Sequence, residues 1–363
     1  MRRKNIRLIT LSMPGLPGFA ALLLALLAMI AGCDSYTAGR SRGDGFERLS
    51  EAPVRTFMPA GQVVADLTAR IPGLMQAATI PGLSIALVRE GEVVWTAGFG
   101  VKSTSTGGAV TSDTVFEACS LSKPVFAWAV MRMVEEGSID LDRPLHEYTG
   151  REFIEREFLR EEASDDRIWR VTARMVLAHM TGLPNWRNNG PIGFSFDPGR
   201  GFAYSGEGYV LLQAVVEEIK GRRLESLMRE YVFDPLAMDS SSFVWREEYH
   251  ETGAFPHTVT GMAIGKRIRR RGSAAASLYT TAADFGRFIA AVLTRRGMSR
   301  EVSEEMLSSQ CMLATEQPGV LSWGLGFGLQ NVGSENSFWH WGDNGEFKCC
   351  MLTYLGWNSG VVY

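Results

Sequence analysis

Ser120, Leu121, Ser122 and Lys123 set a hydroxyl and a primary amine three residues apart. Residues at that spacing share a face of a helix, so the amine can lie beside the hydroxyl. A serine is a poor nucleophile until a base takes its proton, and a lysine does this only where burial or a nearby positive charge lowers its pKa toward neutrality. Lys123 has apolar neighbours, and none of the other five lysines in the chain has a serine three residues before it. Pro124 lacks a backbone N–H and fits only the first turn of a helix. Ser120 is thereby expected near a helix N-terminus, where free N–H groups and the dipole favour a developing oxyanion. One local conflict stands against this: a residue preceding proline is biased away from helical angles, and here that residue is Lys123. No GxSxG elbow occurs, which argues against an ordinary α/β-hydrolase. The five histidines and five cysteines form neither HExxH nor paired CxxC, so no catalytic metal and no cofactor is expected.

The elements that must position this pair are legible from periodicity. Residues 62–76 have helical apolar spacing, and GLSIALVR and VVWTAGFG flank Glu90 and Gly91 as two strands around a tight turn. Helical patterns follow from Lys123 to Glu136, closed by Gly137, then over Arg151–Arg167, the VTARMVLAHM segment and Gly208–Lys220. Thr281 and Asp284 resemble a capping box opening the helix that carries FGRFIAAVL. Ser322–Gln330, Ser337–Trp341 and Glu346–Leu355 are aromatic or β-branched runs, as in an antiparallel sheet. Sheet elements thus flank a helical middle. The expected architecture is α+β, an α/β/α sandwich whose antiparallel sheet is flanked by helices, with an inserted all-helical domain. The sheet domain is expected over residues 61–118 and 270–363 and the helical insert over 119–269, with a site in the cleft where they meet.

At 363 residues, with 45% hydrophobic and 21% charged residues, the chain has the composition of a globular enzyme and not of a disordered or polytopic membrane protein. The formal charge is −3; without Arg2, Arg3, Lys4 and Arg7, the only charged residues before Cys33, it is −7. An acidic body disfavours nucleic acid as a partner. Those cations precede an apolar run from Phe19 to Ala31, too short to span a membrane comfortably but suited to a signal-peptide core. The run ends in Ile30, Ala31, Gly32, Cys33, which resembles a bacterial lipobox. Residues 1–32 are expected to be a lipoprotein signal and Cys33 the lipidated first residue of the mature chain, anchored to the membrane on its extracytoplasmic face. Residues 33–60 read as a tether. The other cysteines, Cys119, Cys311, Cys349 and Cys350, lack a disulfide-framework spacing, and neighbours on a strand point to opposite faces. The basic run Lys266, Arg267, Arg269, Arg270, Arg271 reads as a solvated loop, or else as a patch touching anionic lipid or cell-wall polymer.

The order FEACSLSKPVFA, VTARMVLAHMTGLP, FAYSGEGYVLL, AAASLYTTAADFGRF, WGLGFGL and FWHWGDNGEF resembles the serine β-lactamase and penicillin-binding protein superfamily. The branch it resembles contains class C β-lactamases, D-alanyl-D-alanine carboxypeptidases and related esterases. The resemblance implies Ser120 as the acylated nucleophile, Lys123 as its proton partner and Tyr204 as the phenol that passes the proton to the leaving group. It also implies an oxyanion hole from the backbone N–H groups of Ser120 and Asp343, and substrate contacts around His340 and Gly342. His179 falls in a recurring segment at a helix end and is expected to be structural; Cys119 is expected to be buried.

Two departures bear on the substrate. Tyr204, Ser205, Gly206 stands where the branch usually has Tyr, any residue, Asn, so a side-chain amide is missing. His340, Trp341, Gly342 replaces Lys, Thr, Gly, exchanging a permanent cation for a group of reference pKa about 6.5, and attraction for a substrate carboxylate should fall. The resemblance therefore implies an esterase- or D-peptidase-like hydrolase acting on an ester, peptide or lactam. The alternatives are a class C-like β-lactamase, a D-alanine carboxypeptidase, or a non-catalytic cell-wall-binding or penicillin-sensing domain. The chain stops at Tyr363 inside what resembles the family's next core strand, without the C-terminal helix that would cover the sheet, so a fragment is expected.

Overall fold

The structure is a computed structural model that describes residues 58–159, 165–187, 190–313, 321–332 and 335–363. The expected signal, Cys33 and all but the last three residues of the expected tether lie outside the described residues. The chain divides into two compact units at Ile80 and Pro81. In the first, helix α1 (Ala60–Ala77) buries Val63, Leu67, Ile71 and Met75, a stripe at intervals of four as an amphipathic helix requires.

The second unit is built on a nine-stranded sheet. Strands β1 (Gly82–Arg89) and β2 (Glu92–Ser103) form the expected hairpin. Its two turn residues, Glu90 and Gly91, have φ of 54° and 77°, the doubly left-handed turn that matches strand twist. After β3 (Gly107–Ala109) and β4 (Phe116–Glu117) come the helices α2 (Ser122–Glu135) and α3 (Gly206–Lys220), then β5 (Tyr279–Thr280) and α4 (Ala282–Thr294). The remaining strands are β6 (Cys311–Met312), β7 (Leu321–Trp323), β8 (Gly328–Val332), β9 (Glu335–Asp343), β10 (Lys348–Tyr354) and β11 (Ser359–Val362). Their order is β3-β2-β1-β11-β10-β9-β8-β7-β6, and all neighbours are antiparallel. The last strand, β11, closes the sheet between β1 and β10, so strands from both ends of this unit meet at its centre. α4 packs on β1 and β2: a side chain at Gly286 would meet Ala86 and Val93 at 3.2 and 3.1 Å.

α2 is buried on nearly all sides, from Ser122 through Met131, the signature of a central helix. Lys123 and Pro124 both lie in its first turn, so tertiary packing overrides the pre-proline bias. Gly137 follows the helix end with φ 73°, as expected for a left-handed stop. The capping box at α4 is half made. Thr281 Oγ1 accepts the Asp284 N–H at 3.1 Å, but the Asp284 carboxylate turns to Ser240, Ser241 and Arg287 instead of reaching back.

The expected single helix over Arg151–Arg167 is not formed. A short helix (Arg151–Ile154) runs into a wider π turn (Glu155–Leu159), and a 3-10 turn (Asp166–Arg170) follows, with residues 160–164 undescribed. The stretch is mixed in charge with a short apolar stripe, so Phe153, Ile154, Phe158 and Leu159 are buried, while Arg156 donates to Glu157 and Arg167 to Asp165. The basic run is not simply solvated either. Lys266 donates to the Tyr249 and His250 carbonyls, Arg267 pairs with Glu346, and Arg269 stands 3.9 Å from Glu117; Arg270 and Arg271 are exposed.

Candidate active site

Ser120 lies in a 3-10 turn (Cys119–Leu121) that feeds directly into α2. The turn is held from several sides. The small ribbon β4–β5 pairs Glu117 with Tyr279, and the Ala118 N–H donates to the Leu278 carbonyl at 2.8 Å. Ser122 donates its hydroxyl to the Cys119 carbonyl (2.6 Å) and accepts the Leu278 N–H (2.9 Å). The inner serine of the motif is therefore a brace, a role no sequence pattern indicated. Cys119 is buried, as expected, and adopts φ 48°, a left-handed conformation that costs a non-glycine residue about 1–2 kcal/mol. Its thiol contacts the Glu117 and Phe347 carbonyls.

Lys123 is fully buried. Its Nζ stands 3.2 Å from Ser120 Oγ and donates to the Ala275 carbonyl at 2.7 Å. Burial pushes its pKa down to about 7, against a weaker upward pull from the Cys119 thiol. No ion-pair partner is found for it among the described residues. The sequence required a neutralisable amine, and what makes it neutralisable is burial with no counter-charge among the described residues.

Tyr204 joins the pair: Lys123 Nζ lies 4.7 Å from the centre of its ring. Its hydroxyl is buried and makes no hydrogen bond of full geometry among the described residues; burial holds the phenol protonated by raising its pKa, and the nearby Ser120 hydroxyl offsets part of the effect. The Ser120–Lys123 pair and the phenol of Tyr204, far away in sequence, thus meet in one place.

His179 sits behind Tyr204. Its ring lies 4.2 Å from the Tyr204 ring, and its Nδ1 accepts the Ser205 N–H at 3.0 Å. That bond makes Nδ1 the unprotonated nitrogen, and burial, with the Lys123 amine nearby, keeps the imidazole neutral. Its φ of 56° is one that histidine tolerates better than most residues. His179 therefore positions the phenol. Replacing it by leucine strands a buried N–H, at a cost of about 1–3 kcal/mol, and loosens Tyr204. The expected result is a lower melting temperature together with a fall in kcat larger than any rise in KM; unchanged steady-state constants would refute the positioning role.

His340 on β9 is buried, and its Nδ1 lies 2.8 Å from the Trp341 carbonyl. A carbonyl only accepts, so Nδ1 carries the proton. Burial, reinforced by Lys123, pushes its pKa down to about 3, far below the reference value used on the sequence. It is therefore uncharged near neutral pH. Lys348, the nearest cation on the neighbouring strand, is tied to Asp343 at 2.6 Å. Asp343 spends its other oxygen on the Gly345 N–H at 2.7 Å, so its side chain is committed to the turn. Gly342 lies hard against the serine: a Cβ there would stand 2.8 Å from Ser120 N, 2.8 Å from Cys119 Cβ and 2.7 Å from Cys349 Sγ. This close approach brings the β9 backbone beside the Ser120 amide.

The site thus combines a half-buried hydroxyl, an amine titrating near neutrality, a protonated phenol and two converging backbone segments. Groups of these kinds, so placed, can carry out acyl transfer. Among the described residues no group of three or more His, Cys, Asp or Glu is placed to hold a metal ion.

The sequence and the fold resemble those of known proteins. The chain is 24% identical over 328 residues to the esterase EstB of Burkholderia gladioli, covering 76% of this chain and 81% of that protein. Its fold matches the octameric penicillin-binding protein homologue of Pyrococcus abyssi with a TM-score of 0.70 at 22% identity, over 82% of this chain and 72% of that one. It likewise matches the D-alanine carboxypeptidase AmpC of Burkholderia cenocepacia with a TM-score of 0.70 at 19% identity, over 84% and 93%. The family model described as Beta-lactamase matches residues 67–363, and the chain belongs to that family of serine hydrolases.

Proposed function

We propose that this protein is a serine hydrolase that cleaves esters or amides through an acyl-enzyme on Ser120, and that it works on the extracytoplasmic face of a membrane, anchored at Cys33. The observation that carries the chemistry is the fully buried Lys123 Nζ at 3.2 Å from Ser120 Oγ. The anchor rests on the N-terminal sequence alone.

In the proposed reaction Ser120 Oγ attacks the substrate carbonyl carbon as its proton passes to neutral Lys123. The oxyanion is held by the N–H groups of Ser120 and Asp343. The leaving group departs with a proton relayed from the Lys123 ammonium through Tyr204, and water then releases the acid by the same steps in reverse. Neither the uncharged His340 nor Lys348, which is paired with Asp343, offers a free charge to a substrate carboxylate, which favours neutral esters and amides over β-lactams and D-alanyl termini. The esterase relative is consistent with that preference.

Incubating the full chain with a fluorophosphonate probe and locating the adduct by mass spectrometry tests the reading. A single adduct on Ser120 supports it. A folded chain that does not label is instead the non-catalytic binding domain, and rapid nitrocefin turnover would promote the β-lactamase alternative. The pH dependence is a second check. The base must be neutral, so kcat/KM should rise with pH through an apparent pKa near 7 and fall only above the ordinary tyrosine range. An acid limb near the lysine reference of about 10.4 would contradict the assignment.

A further inference from the structure

The oxyanion hole proposed above uses two amides, those of Ser120 and Asp343, that lie far apart in sequence. Preorganised donors are effective only while their spacing is fixed, so the end of β9 has to be held against the turn that carries the nucleophile. The tight contact at Gly342 keeps the two segments from drawing closer. A different set of contacts keeps them from drifting apart.

Those contacts join residues 116–119 to the turn that follows β9. Phe116 and Phe347 meet edge to face with ring centres 6.2 Å apart, the Cys119 thiol reaches the Phe347 carbonyl at 3.5 Å, and the Cys349 thiol reaches the Ala118 carbonyl at 3.0 Å. A bond of a stronger kind stands beside them: Asn344 Nδ2 donates to Glu117 Oε2 at 2.8 Å, a side-chain amide on a carboxylate. Asn344 is the residue next to Asp343, and it is engaged on every side. Its Oδ1 accepts the Phe347 N–H at 3.1 Å, and its own N–H donates to the Phe347 carbonyl at 3.3 Å. The side chain thus closes its own turn and ties that turn to β4.

Glu117 is itself fixed. It is buried, its backbone pairs with Tyr279, and Arg269 Nη2 stands 3.9 Å from the same carboxylate oxygen. Arg267 pairs with Glu346 inside the turn at 2.5 Å, and its carbonyl accepts the Tyr279 hydroxyl at 2.6 Å. Desolvating a carboxylate is costly, and the packing of Phe116 on Phe347 joins the two segments without one. What the carboxylate adds is direction, because a hydrogen bond constrains an angle as well as a distance.

We propose that Glu117 is a positioning residue of the oxyanion hole, holding Asn344 so that the Asp343 N–H stays aligned with that of Ser120. The inference rests on the hydrolase reading above.

Three variants of the full chain test it. Glu117→Leu removes the acceptor, Glu117→Gln keeps an acceptor without the charge, and Asn344→Ala removes the donor from the other side. Turnover of p-nitrophenyl acetate is expressed per folded molecule, counted by near-ultraviolet circular dichroism. Glu117→Leu and Asn344→Ala should each lower kcat by about 30-fold with KM nearly unchanged, short of the 10²–10³ lost when an oxyanion donor is removed outright. Phenylboronic acid, which bonds Ser120 Oγ and becomes tetrahedral, should bind more weakly by about the same factor. Both residues act through one bond, so the double variant should be no worse than either single one. Glu117→Gln should stay within about threefold of the wild-type kcat. If Glu117→Leu does not fold, the other two variants decide. Unchanged kcat and boronate affinity in Asn344→Ala, a Glu117→Gln as impaired as Glu117→Leu, or a loss confined to the folded fraction overturns the positioning role and leaves Ser120 chemistry intact. A wild-type chain that neither labels at Ser120 nor binds the boronate overturns both.

Discussion

Lys123→Met is expected to lower kcat/KM for an ester by at least about 10³-fold, the upper range for removal of a general base, while raising the stability of the protein. The two effects share one cause. Lys123 is fully buried and titrates at about 7 in the folded chain, against 10.5 as its ordinary value. Between those values the unfolded chain binds a proton that the folded chain does not, so wild-type stability rises with pH across that window. Below about pH 7 both states are protonated and the full penalty of burying the ammonium remains, on the order of a few kcal/mol. Methionine fills similar volume without the charge. The variant should therefore melt higher than the wild type at pH 6, with a gap that narrows as pH rises toward 10. A lower melting temperature at pH 6 would show that the amine stabilises the fold, and retained ester turnover would show that it is not the base.

Gly342→Ala is the second large effect. The added methyl would lie within 2.8 Å of Ser120 N and Cys119 Cβ and 2.7 Å of Cys349 Sγ, closer than real side chains approach. Two of the three obstacles belong to the turn that carries the nucleophile, so the clash separates the Ser120 amide from the β9 backbone. Loss of one oxyanion donor costs about 10²–10³ in kcat, and overpacking of this kind costs about 1–3 kcal/mol. Adding Cys349→Ala removes the sulfur obstacle but not the Ser120 amide. The double variant should regain stability and stay inactive. Recovery of activity by that second change would mean that the methyl acts through the core and not through the oxyanion site.

Much of the fold can be read from periodicity because the residues that decide it are close in sequence. The β1–β2 hairpin follows from two apolar runs around Glu90–Gly91, α2 from its apolar run after Pro124, and β8, β9 and β10 from aromatic stretches broken by turn residues. Arg151–Arg167 was misread because its charge pattern suits a helix, whereas its buried residues are too few to hold one straight. The basic run at residues 266–271 was misread because Glu346 and Glu117, which pair with Arg267 and Arg269, are far away in the chain.

The sequence by itself determined which groups are available: one serine with a lysine three residues on, a phenol and a histidine in the right order, and a glycine where an amide was expected. The tertiary structure alone decided what those groups do. Burial lowers the pKa of Lys123 to about 7 and keeps the His340 ring neutral, docking of the 184–187 segment brings the Asn185 amide to Gly206, and the close approach of β9 sets two backbone segments side by side. A pKa and a hydrogen-bond partner are properties of the surroundings, and here those surroundings come from segments up to about two hundred residues apart in a folded chain whose long-range contacts no local pattern encodes.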